Sequence, residues 1–438
     1  MIKFKNIFYF LILMVLFFPV IQNSTSLVKL KPLKGSYTLE NKPVFSLEHY
    51  ITGEYQDLYN TYLEQHIGLR PFFVRLNNQL AFSLFRIAQA SYVEIGKSNY
   101  LFEEYYIFAY LGRDFRGKEV WNEKVGKLKF ISEKLKEKNT DIIVFLAPGK
   151  ATFFPEYIPE KYDPGRKELS NYAYLLEKII NNDIHCIDFN RYFVQMKDTS
   201  SYALYPKTGI HWSSYGETLA LDSLIRYMES LKQVRMVDFG YSEVEVTKDL
   251  KTPDNDIAEG MNLLFDISYY AMPYPKLYFH EDSATYKPVV ITITDSYYWN
   301  LHGRGITQRI YGEDNFWYYF KSAHGDKYIE GQMVQDLNVK EELESADFIV
   351  LLATEGTLNK FPYGFVEEVY DLYTQESEDK YVIDEEEIRF IEQVIRNDSV
   401  WFEEIRRKAI KLNISNEEML RRDAEWLYKK KLENESNK

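Results

Sequence analysis

The chain has 438 residues, of which 45% are hydrophobic and 27% charged, a globular composition that excludes wholesale disorder. This length accommodates either one large core with appendages or two domains. The formal net charge is −13, and no basic run is longer than the short "KKK" near the C-terminus, so nucleic acid is excluded as an expected partner. The single cysteine, Cys186, excludes an intramolecular disulfide and a C-x-x-C metal site.

The N-terminal sequence "MIKFKNIFYFLILMVLFFPVIQNSTS" is typical of an export signal. Lys3 and Lys5 precede an uncharged apolar run at residues 7–21. This run is shorter than the about 20 residues of a full membrane span, and no clear small-x-small cleavage site follows it. We therefore expect a signal peptide or an uncleaved signal anchor at residues 1–26. The rest of the chain is predicted to be extracytoplasmic, on the periplasmic side, with the inner membrane as the partner of an uncleaved anchor.

The remaining chain is predicted to contain a lead segment, an α/β domain and a helical extension. Residues 27–94 form the lead, which is extended at first and then helical. Amphipathic helices then alternate with apolar strands at 141–150, 184–189, 287–296 and 347–356. This alternation predicts a three-layer α/β/α sandwich with a mostly parallel sheet over residues 95–360. The charged helical pattern near the end predicts a packing appendage at residues 361–438.

Three of the predicted strands end in polar residues, within "PGK", "TDS" and "TEG". Ligands of parallel α/β sheets bind beyond the carboxyl ends of the strands, so this edge is the expected site. Lys150 and Glu355 lie there. Each is a candidate supporting residue of the site, and an ordinary loop charge or helix cap is the alternative.

The stretch "KTGIHWSSYG" places His211 in a loop just before a helix. Ser214 and Glu217 have the S-x-x-E spacing of a capping box, and an apolar helical stripe follows them. Ser296 lies in "VVITITDSYYW", directly after a strand, where turn N–H groups can hold an oxyanion. The alternatives are a surface histidine and a serine that, with Asp295, caps the next helix. Together the two positions predict a nucleophile and its base.

Four blocks resemble, in chain order, those of the SGNH-hydrolase-like O-acetyltransferase family of the AlgX/AlgJ type. "IGKSNYLFEEYYIFAYLG" resembles the start of the family's domain, and "FLAPGKATFFPEYIP" a segment that follows an early strand. "KTGIHWSSYG" resembles the D-x-H-W block and "ITDSYYW" the G-D-S block. The resemblance covers roughly residues 95–360. It implies an α/β/α sandwich in which Ser296 is the nucleophile and His211 the base.

The same resemblance implies the biological setting. Family members act on the periplasmic side beside a membrane-bound O-acyltransferase, which delivers acetyl groups for an exopolysaccharide. The expected partners of this chain are therefore a polysaccharide and such an acyltransferase. No cofactor is expected, and no H-E-x-x-H, Walker or dinucleotide motif is present.

Two positions depart from the family pattern. The Asp that precedes the histidine by two residues is Gly209 here, and the Gly of G-D-S is Thr294. Because a catalytic histidine needs a group that fixes its tautomer, we expect a carboxylate or carbonyl from outside residues 207–212 to meet it. Asp295 is a possible support, although the resemblance implies a structural role for it. If Gly209 marks a lost acid, Gly209→Asp is expected to raise the rate; a glycine with positive φ would instead lose stability.

Aromatic residues flank both candidate catalytic residues. Trp212, Tyr297, Tyr298 and Trp299 are candidates for stacking on a sugar ring, and packing around the strand ends is the alternative. Three functions remain open. The first is an extracytoplasmic O-acetyltransferase acting on a polysaccharide, and the second is a carbohydrate esterase of the same fold. The third is a catalytically degenerate binding or scaffold component, which Gly209 favours.

Overall fold

The computed structural model describes residues 4–35, 39–375, 384–412 and 414–436. The chain divides into two compact units, Met1–Tyr370 and Asp371–Lys438. The described strands are β1 Val93–Ile95, β2 Leu101–Glu103, β3 Asp141–Ala147, β4 Cys186–Asp188, β5 Asp238–Thr247, β6 Met272–His280, β7 Val289–Thr294, β8 Glu313–Tyr318, β9 Ser322–Gly325 and β10 Phe348–Thr354.

The described α-helices of the first unit are α1 Phe4–Thr25, α2 Leu47–Thr52, α3 Glu54–His66, α4 Arg70–Leu80, α5 Glu104–Leu111, α6 Lys118–Lys136, α7 Lys150–Phe153, α8 Asn171–Asn181, α9 Phe189–Met196, α10 Ser214–Lys232, α11 Asp256–Gly260, α12 Tyr298–Gly303, α13 Thr307–Ile310, α14 Val339–Ser345 and α15 Phe365–Gln375, which runs into the second unit. Three more, α16 Glu385–Asn397, α17 Ser399–Leu412 and α18 Asn416–Ser436, belong to the second unit. Short 3₁₀ turns and one π-helical turn, Ala81–Phe85, connect several of these elements.

Helix α1 is long and apolar enough to cross a membrane. It has 22 residues, and its most apolar 18-residue window has a mean hydropathy of 2.2. At about 1.5 Å per residue such a helix spans the roughly 30 Å hydrocarbon core. The helix extends past the apolar run at residues 7–21 through the polar residues 22–25. A signal sequence meets the same criteria, so the helix fits either form of the predicted segment.

The central sheet of the first unit has the strand order β4-β3-β10-β7-β8-β9. Neighbouring strands are parallel from β4 to β8, and β9 is antiparallel to β8. The four strands expected from the sequence are β3, β4, β7 and β10, and all four lie in this sheet. Strands β8 and β9 were not predicted. The first half of β8 is polar, with Asp314 and Asn315 buried, so its apolar run is only three residues long.

Helices cover both faces of this sheet. Every residue of β3 and β10 is buried, so the side chains that alternate between the two faces are equally shielded. Ile143 and Phe145 pack in one core cluster with residues of α5 and α10, and Ile142 and Val144 are buried on the opposite face. The fold is therefore the three-layer α/β/α sandwich with a mostly parallel sheet that the sequence predicted.

Two small antiparallel sheets of two strands each accompany the central sheet in the described residues: β1 pairs with β2, and β5 pairs with β6 between α10 and β7. Strands β5 and β6 pair over most of their length, with an irregularity between Tyr241 and Glu243. The connection at residues 248–271 contains the short helix α11. This hairpin was not predicted. Its connection contributes a residue to the candidate site.

The second unit is helical, as the charged pattern near the C-terminus predicted. Helices α16, α17 and α18 enclose a small core of their own, formed by Ile388, Ile395, Ile405, Ala409, Met419, Leu420 and Ala424. The division between the units lies at residues 370/371.

Candidate active site

Ser296 lies at the carboxyl edge of the central sheet. Strand β7 ends at Thr294 and helix α12 begins at Tyr298, so the serine occupies the short turn between them. Its side chain is half-buried rather than enclosed. The turn therefore presents the hydroxyl where ligands of parallel α/β sheets bind.

The neighbouring Asp295 is a structural residue that joins two strand ends. Its Oδ1 accepts the N–H of Tyr297 at 3.1 Å. Its Oδ2 accepts the N–H and the hydroxyl of Thr354, both at 2.9 Å, and the hydroxyl of Thr357 at 2.7 Å. The buried carboxylate thus fixes the Ser296 turn to the end of β10. These four bonds occupy both oxygens, so Asp295 does not serve as the partner of the histidine.

His211 lies in the loop before α10, as expected, but the helix is capped differently. The N-cap is Ser213, whose Oγ accepts the N–H of Gly216 at 3.0 Å. Ser214 is the first residue of the helix. Glu217 is buried and accepts from Arg304 at 3.1 Å instead of returning to the start of the helix. The predicted Ser214–Glu217 capping box is therefore wrong. The N-cap lies one residue earlier, and Glu217 takes no part in capping.

His211 connects Ser296 to an acidic residue from the hairpin connection. Its Nε2 lies 3.0 Å from Ser296 Oγ, and its Nδ1 lies 2.7 Å from Asp256 Oδ2. The other oxygen, Oδ1, accepts the N–H of Ile210 at 3.0 Å and that of Ile257 at 2.7 Å. Because the carboxylate accepts from Nδ1–H, Nε2 is left to accept the serine proton. The three side chains have the geometry of a Ser–His–Asp triad.

Opposing effects set the proton affinity of His211. Burial lowers its pKa, whereas the hydrogen bond and the charge of Asp256, with smaller contributions from the charges of Glu103 and Asp295, raise it. The acidic groups outweigh burial, so the pKa of His211 lies above its ordinary value. The surroundings therefore stabilise the imidazolium that forms when the histidine takes a proton.

Gly209 is required by a close approach of the backbone. A Cβ at this position would lie 2.5 Å from the carbonyl oxygen of Pro253 and 2.7 Å from that of Asp254. The φ angle of Gly209 is not in the left-handed range, so the positive φ considered from the sequence is not the reason for the glycine. The residues that fill this space belong to the segment that carries Asp256. The position of the family's Asp is thus closed by the segment that supplies another acid.

Lys150 is bonded to the backbone of the His211 loop and does not line the cleft. It is fully buried, and its amine donates to the carbonyl oxygens of Lys207, at 2.9 Å, and of Gly209. Burial lowers the pKa of Lys150 to about 7, although the charges of Asp256 and Glu103 act in the opposite direction. The interpretation of Lys150 as a solvated loop charge is therefore wrong. It is a candidate positioning residue for the loop.

Glu355 is also buried, so it is not exposed to a sugar. Its carboxyl accepts the hydroxyl of Thr152, and burial raises its pKa to about 7. A Cβ at Gly149 would lie 2.4 Å from Glu355 Oε2, which places the carboxyl tightly against the "PGK" turn. Contact between Glu355 and a sugar hydroxyl is therefore excluded in this conformation.

Three of the four flanking aromatic residues are core residues. Trp212, Tyr297 and Tyr298 are 1%, 0% and 1% exposed, so the sugar-stacking interpretation is wrong for them. Tyr297 instead donates to the carbonyl oxygen of Ile210 at 2.8 Å and packs against the His211 ring at 4.9 Å between centroids. Trp299 is 37% exposed and remains a candidate for substrate contact.

Asp256 was not identified from the sequence. It lies in "TPDNDIAEG", where the only signal is a pair of aspartates in a polar turn. Among the described residues, no group of three or more His, Cys, Asp or Glu side chains could hold a metal ion.

A cavity of about 850 Å³ borders the segment that supports the triad, but it is not the triad cleft. Thr208, Asn255 and Ala258 contribute to its wall, whereas Ser296 and His211 do not. The candidate active site is therefore the half-open edge around Ser296.

The fold and the site define a class of protein, the α/β/α sandwiches with a Ser–His–Asp arrangement at the carboxyl edge of the sheet. Residues 93–252 match the family model described as "SGNH hydrolase-like domain, acetyltransferase AlgX". The resemblance to SGNH-hydrolase-like O-acetyltransferases that the motifs predicted is thus confirmed over this stretch. The stretch includes His211 and ends before Asp256 and Ser296. No curated protein sequence gives a significant match.

Several solved structures are similar to the chain. The O-acetyltransferase domain of Pseudomonas putida AlgJ is 12% identical, with 64% of this chain and 99% of that chain covered and a TM-score of 0.40. Pseudomonas aeruginosa AlgX is 12% identical, with 66% and 69% covered and a TM-score of 0.40. Bacillus cereus PatB1 is 10% identical, with 56% and 93% covered and a TM-score of 0.33.

Proposed function

We propose that the protein is an extracytoplasmic O-acetyltransferase that acetylates a cell-surface or secreted polysaccharide through Ser296, His211 and Asp256. The observation that carries the proposal is the pair of contacts of His211, 3.0 Å to Ser296 Oγ and 2.7 Å to Asp256 Oδ2. The match of residues 93–252 to an acetyltransferase family supports acetyl as the transferred group.

The first half-reaction forms an acetyl-enzyme. Ser296 Oγ attacks the carbonyl carbon of the donor ester while His211 Nε2 takes the hydroxyl proton. Asp256 stabilises the imidazolium through Nδ1–H. When the tetrahedral intermediate collapses, the bond to the donor oxygen breaks and that oxygen takes the proton from His211. The product is acetyl-Ser296. The backbone N–H of Ser296, which makes no hydrogen bond to the described residues, is a candidate oxyanion donor.

The second half-reaction transfers the acetyl group to a sugar. His211 removes the proton of a sugar hydroxyl, whose oxygen attacks acetyl-Ser296, and the histidine then returns the proton to Ser296 Oγ. Water in place of the sugar would make the protein an esterase with the same residues. The two activities therefore differ only in the acceptor.

The proposed setting follows from the N-terminus and the family resemblance. Helix α1 supports export and, if it is retained, anchoring to the inner membrane. A membrane-bound O-acyltransferase is the proposed source of acetyl groups. The scaffold alternative was favoured by the missing acid at Gly209. With Asp256 against His211, that reason no longer applies.

The test is acetyl transfer by the full chain in detergent micelles, with 4-nitrophenyl acetate as the donor. We expect an acetyl adduct on Ser296 in intact-mass and peptide measurements, because acylation precedes transfer. Ser296→Ala should abolish the adduct, and His211→Ala should slow its formation by about 10²–10⁴-fold. Ser242→Ala, on the exposed β5 strand, is the matched control. An adduct that is retained in Ser296→Ala would reject Ser296 as the nucleophile. The absence of any adduct in the parent chain, with several acyl donors tried, would reject the proposal in favour of a binding role.

A further inference from the structure

Three tyrosines and a carboxylate surround the Ser296 turn and have no part in the triad. Four residues, here called the rim, are each half-buried: Glu103 at the end of β2, Tyr105 in the first turn of α5, Tyr319 directly after β8 and Tyr363 in the turn before α15. Each side chain is therefore partly accessible to solvent.

Tyr319 and Tyr363 form the first half of the rim. The N–H of Tyr319 donates to the carbonyl oxygen of Thr294 at 2.8 Å, which fixes this residue beside the end of the strand that precedes Ser296. Its ring meets that of Tyr363 edge to face, with 5.0 Å between centroids. The hydroxyl of Tyr363 lies 3.1 Å from Oγ1 of Thr357, which in turn donates to Asp295. The network of Asp295 therefore holds both Ser296 and this pair of rings.

The backbone at both tyrosines is unusual. Tyr319 has a φ of 50° and Tyr363 a φ of 66°, in the left-handed region that bulky residues avoid. Such conformations persist where the surrounding structure enforces them, and they cluster at ligand sites. Both aromatic side chains are thus held at the edge of the cleft against their local preference.

Glu103 and Tyr105 form the second half. The hydroxyl of Tyr105 donates to the carboxylate of Glu103. The N–H of Leu101, at the start of the same strand, donates to the carbonyl oxygen of Lys207 at 3.1 Å and joins β2 to the His211 loop. Glu103 is near enough for its charge to raise the pKa of His211. Glu103 therefore connects the triad, through its charge, to Tyr105, through a hydrogen bond.

The rim contributes one acidic group to the site, Glu103. Burial raises the pKa of the Glu103 carboxyl, and the negative charge of Asp256 raises it further. The cationic groups that act on Glu103 are His211, when it is protonated, and Lys150, whose amine is fully buried and bonded to two loop carbonyls. A negatively charged ligand would meet the carboxylate of Glu103 here without an accessible ammonium group from Lys150.

We propose that the rim is the acceptor subsite and that it selects a neutral pyranose over a uronic acid. This inference rests on the proposed acetyl transfer. The rings of Tyr105, Tyr319 and Tyr363 offer flat apolar surfaces to a sugar ring, and the carboxylate of Glu103 accepts a hydrogen bond from a sugar hydroxyl. Glu103 orients the acceptor, while the proton of the reacting hydroxyl goes to His211. The charge of Glu103 disfavours a uronate carboxylate.

The experiment compares acceptors on the full chain loaded by 4-nitrophenyl acetate. Neutral oligosaccharides of glucose, mannose and N-acetylglucosamine are compared with oligogalacturonate at low salt. We expect kcat/KM for the best neutral acceptor to exceed that for oligogalacturonate by about tenfold or more. Glu103→Gln should lower this ratio by raising kcat/KM for oligogalacturonate. Tyr319→Ala should raise KM for the neutral acceptor several-fold, and Tyr319→Phe, which keeps the ring, should restore it.

Acylation and transfer are measured separately so that the two proposals fail in different ways. Loss of acetyl-Ser296 formation in the parent chain would remove the proposed function itself. If acetyl-Ser296 forms but no neutral acceptor exceeds oligogalacturonate, or Glu103→Gln leaves the ratio unchanged, the rim inference is overturned and the acyl-enzyme stands. Glu243→Gln, whose side chain is 70% exposed and pairs with Lys276, is the matched control and should change neither step.

Discussion

Asp256 holds the loop before α10 at two points, the imidazole ring of His211 and the backbone N–H of the preceding residue, Ile210. Oδ2 lies 2.7 Å from Nδ1 of His211, and Oδ1 accepts the N–H of Ile210 at 3.0 Å. One carboxylate therefore fixes both the imidazole and the peptide that leads into it. This double contact sets the orientation of the ring towards Ser296.

Asp256→Asn is expected to slow acetyl-Ser296 formation by about 10²–10⁴-fold, because an amide neither stabilises the imidazolium nor enforces the productive tautomer. The measurement is the rate of adduct formation under single-turnover conditions. Asp266→Asn, an exposed residue of the same connection, is the matched control and should react at the parent rate. An unchanged rate in Asp256→Asn would mean that another group orients the histidine.

The pH dependence of acylation should report His211. The neutral imidazole is the base, so the rate rises with pH through the pKa of His211, which the acidic neighbours place above the ordinary value of about 6.5. Removing the charge of Asp256 should move the midpoint to lower pH while the plateau falls. A pH–rate profile of both proteins checks this, and a midpoint that moves upward in Asp256→Asn would contradict it.

Lys150→Met is expected to change the pH dependence of stability. The pKa of Lys150 is lowered to about 7 in the folded protein, so between this value and the ordinary pKa of about 10.4 the unfolded chain binds more protons. In the parent chain this group therefore makes stability rise with pH across that window. Thermal midpoints of the two proteins from pH 7 to about pH 9.5 should show a weaker rise in Lys150→Met. A parallel rise would refute the buried, easily deprotonated amine.

Lys150→Met should also slow acylation, because the carbonyls of Lys207 and Gly209 lose their donor and the His211 loop is less well fixed. Because Lys150 acts as a positioning residue, the Lys150→Met substitution should leave the midpoint of the pH–rate profile nearly unchanged. Lys134→Met, on an exposed part of α6, is the control.

Gly209→Asp should destabilise the protein and reduce activity, contrary to the gain expected from the family pattern. Any Cβ at residue 209 meets the backbone of Pro253 and Asp254 at 2.5–2.7 Å, and backbone cannot yield as a flexible side chain can. Gly209→Ala should already cost about 1–3 kcal/mol, and Gly209→Asp more. Thermal midpoints and acylation rates test this. Gly126→Ala, on α6 with open space around it, is the control. Higher activity in Gly209→Asp would contradict the steric account.

The parts of the fold that the sequence predicted are those with a continuous local pattern. Strands β3 and β10 are apolar throughout because both of their faces are buried, and Ser296 and His211 stand directly beside recognisable elements. Strand β8 was not predicted because its first half is polar, with Asp314 and Asn315 buried, and its apolar run is short.

The remaining errors have a common physical origin in contacts between distant segments. Asp256 meets His211 only because the connection between β5 and β6 packs against the His211 loop. No local pattern in "TPDNDIAEG" predicts that contact. Lys150 follows a strand, where a lysine is normally exposed. Its burial depends on two carbonyl oxygens from the His211 loop. Trp212 and Tyr297 were assigned to the cleft from their neighbours in sequence, but their rings turn into the core.

The closed space at Gly209 bears on how proteins of this fold are sorted by pattern searches. A search that demands Asp two residues before the histidine would class this chain as inactive, although it carries an acid against the same nitrogen. The two arrangements exclude each other, because a side chain at 209 and the backbone at 253–254 compete for one volume. A Gly209→Asp substitution alone would bring its Cβ into collision with that backbone. The exchange requires the loop and the hairpin connection to change together.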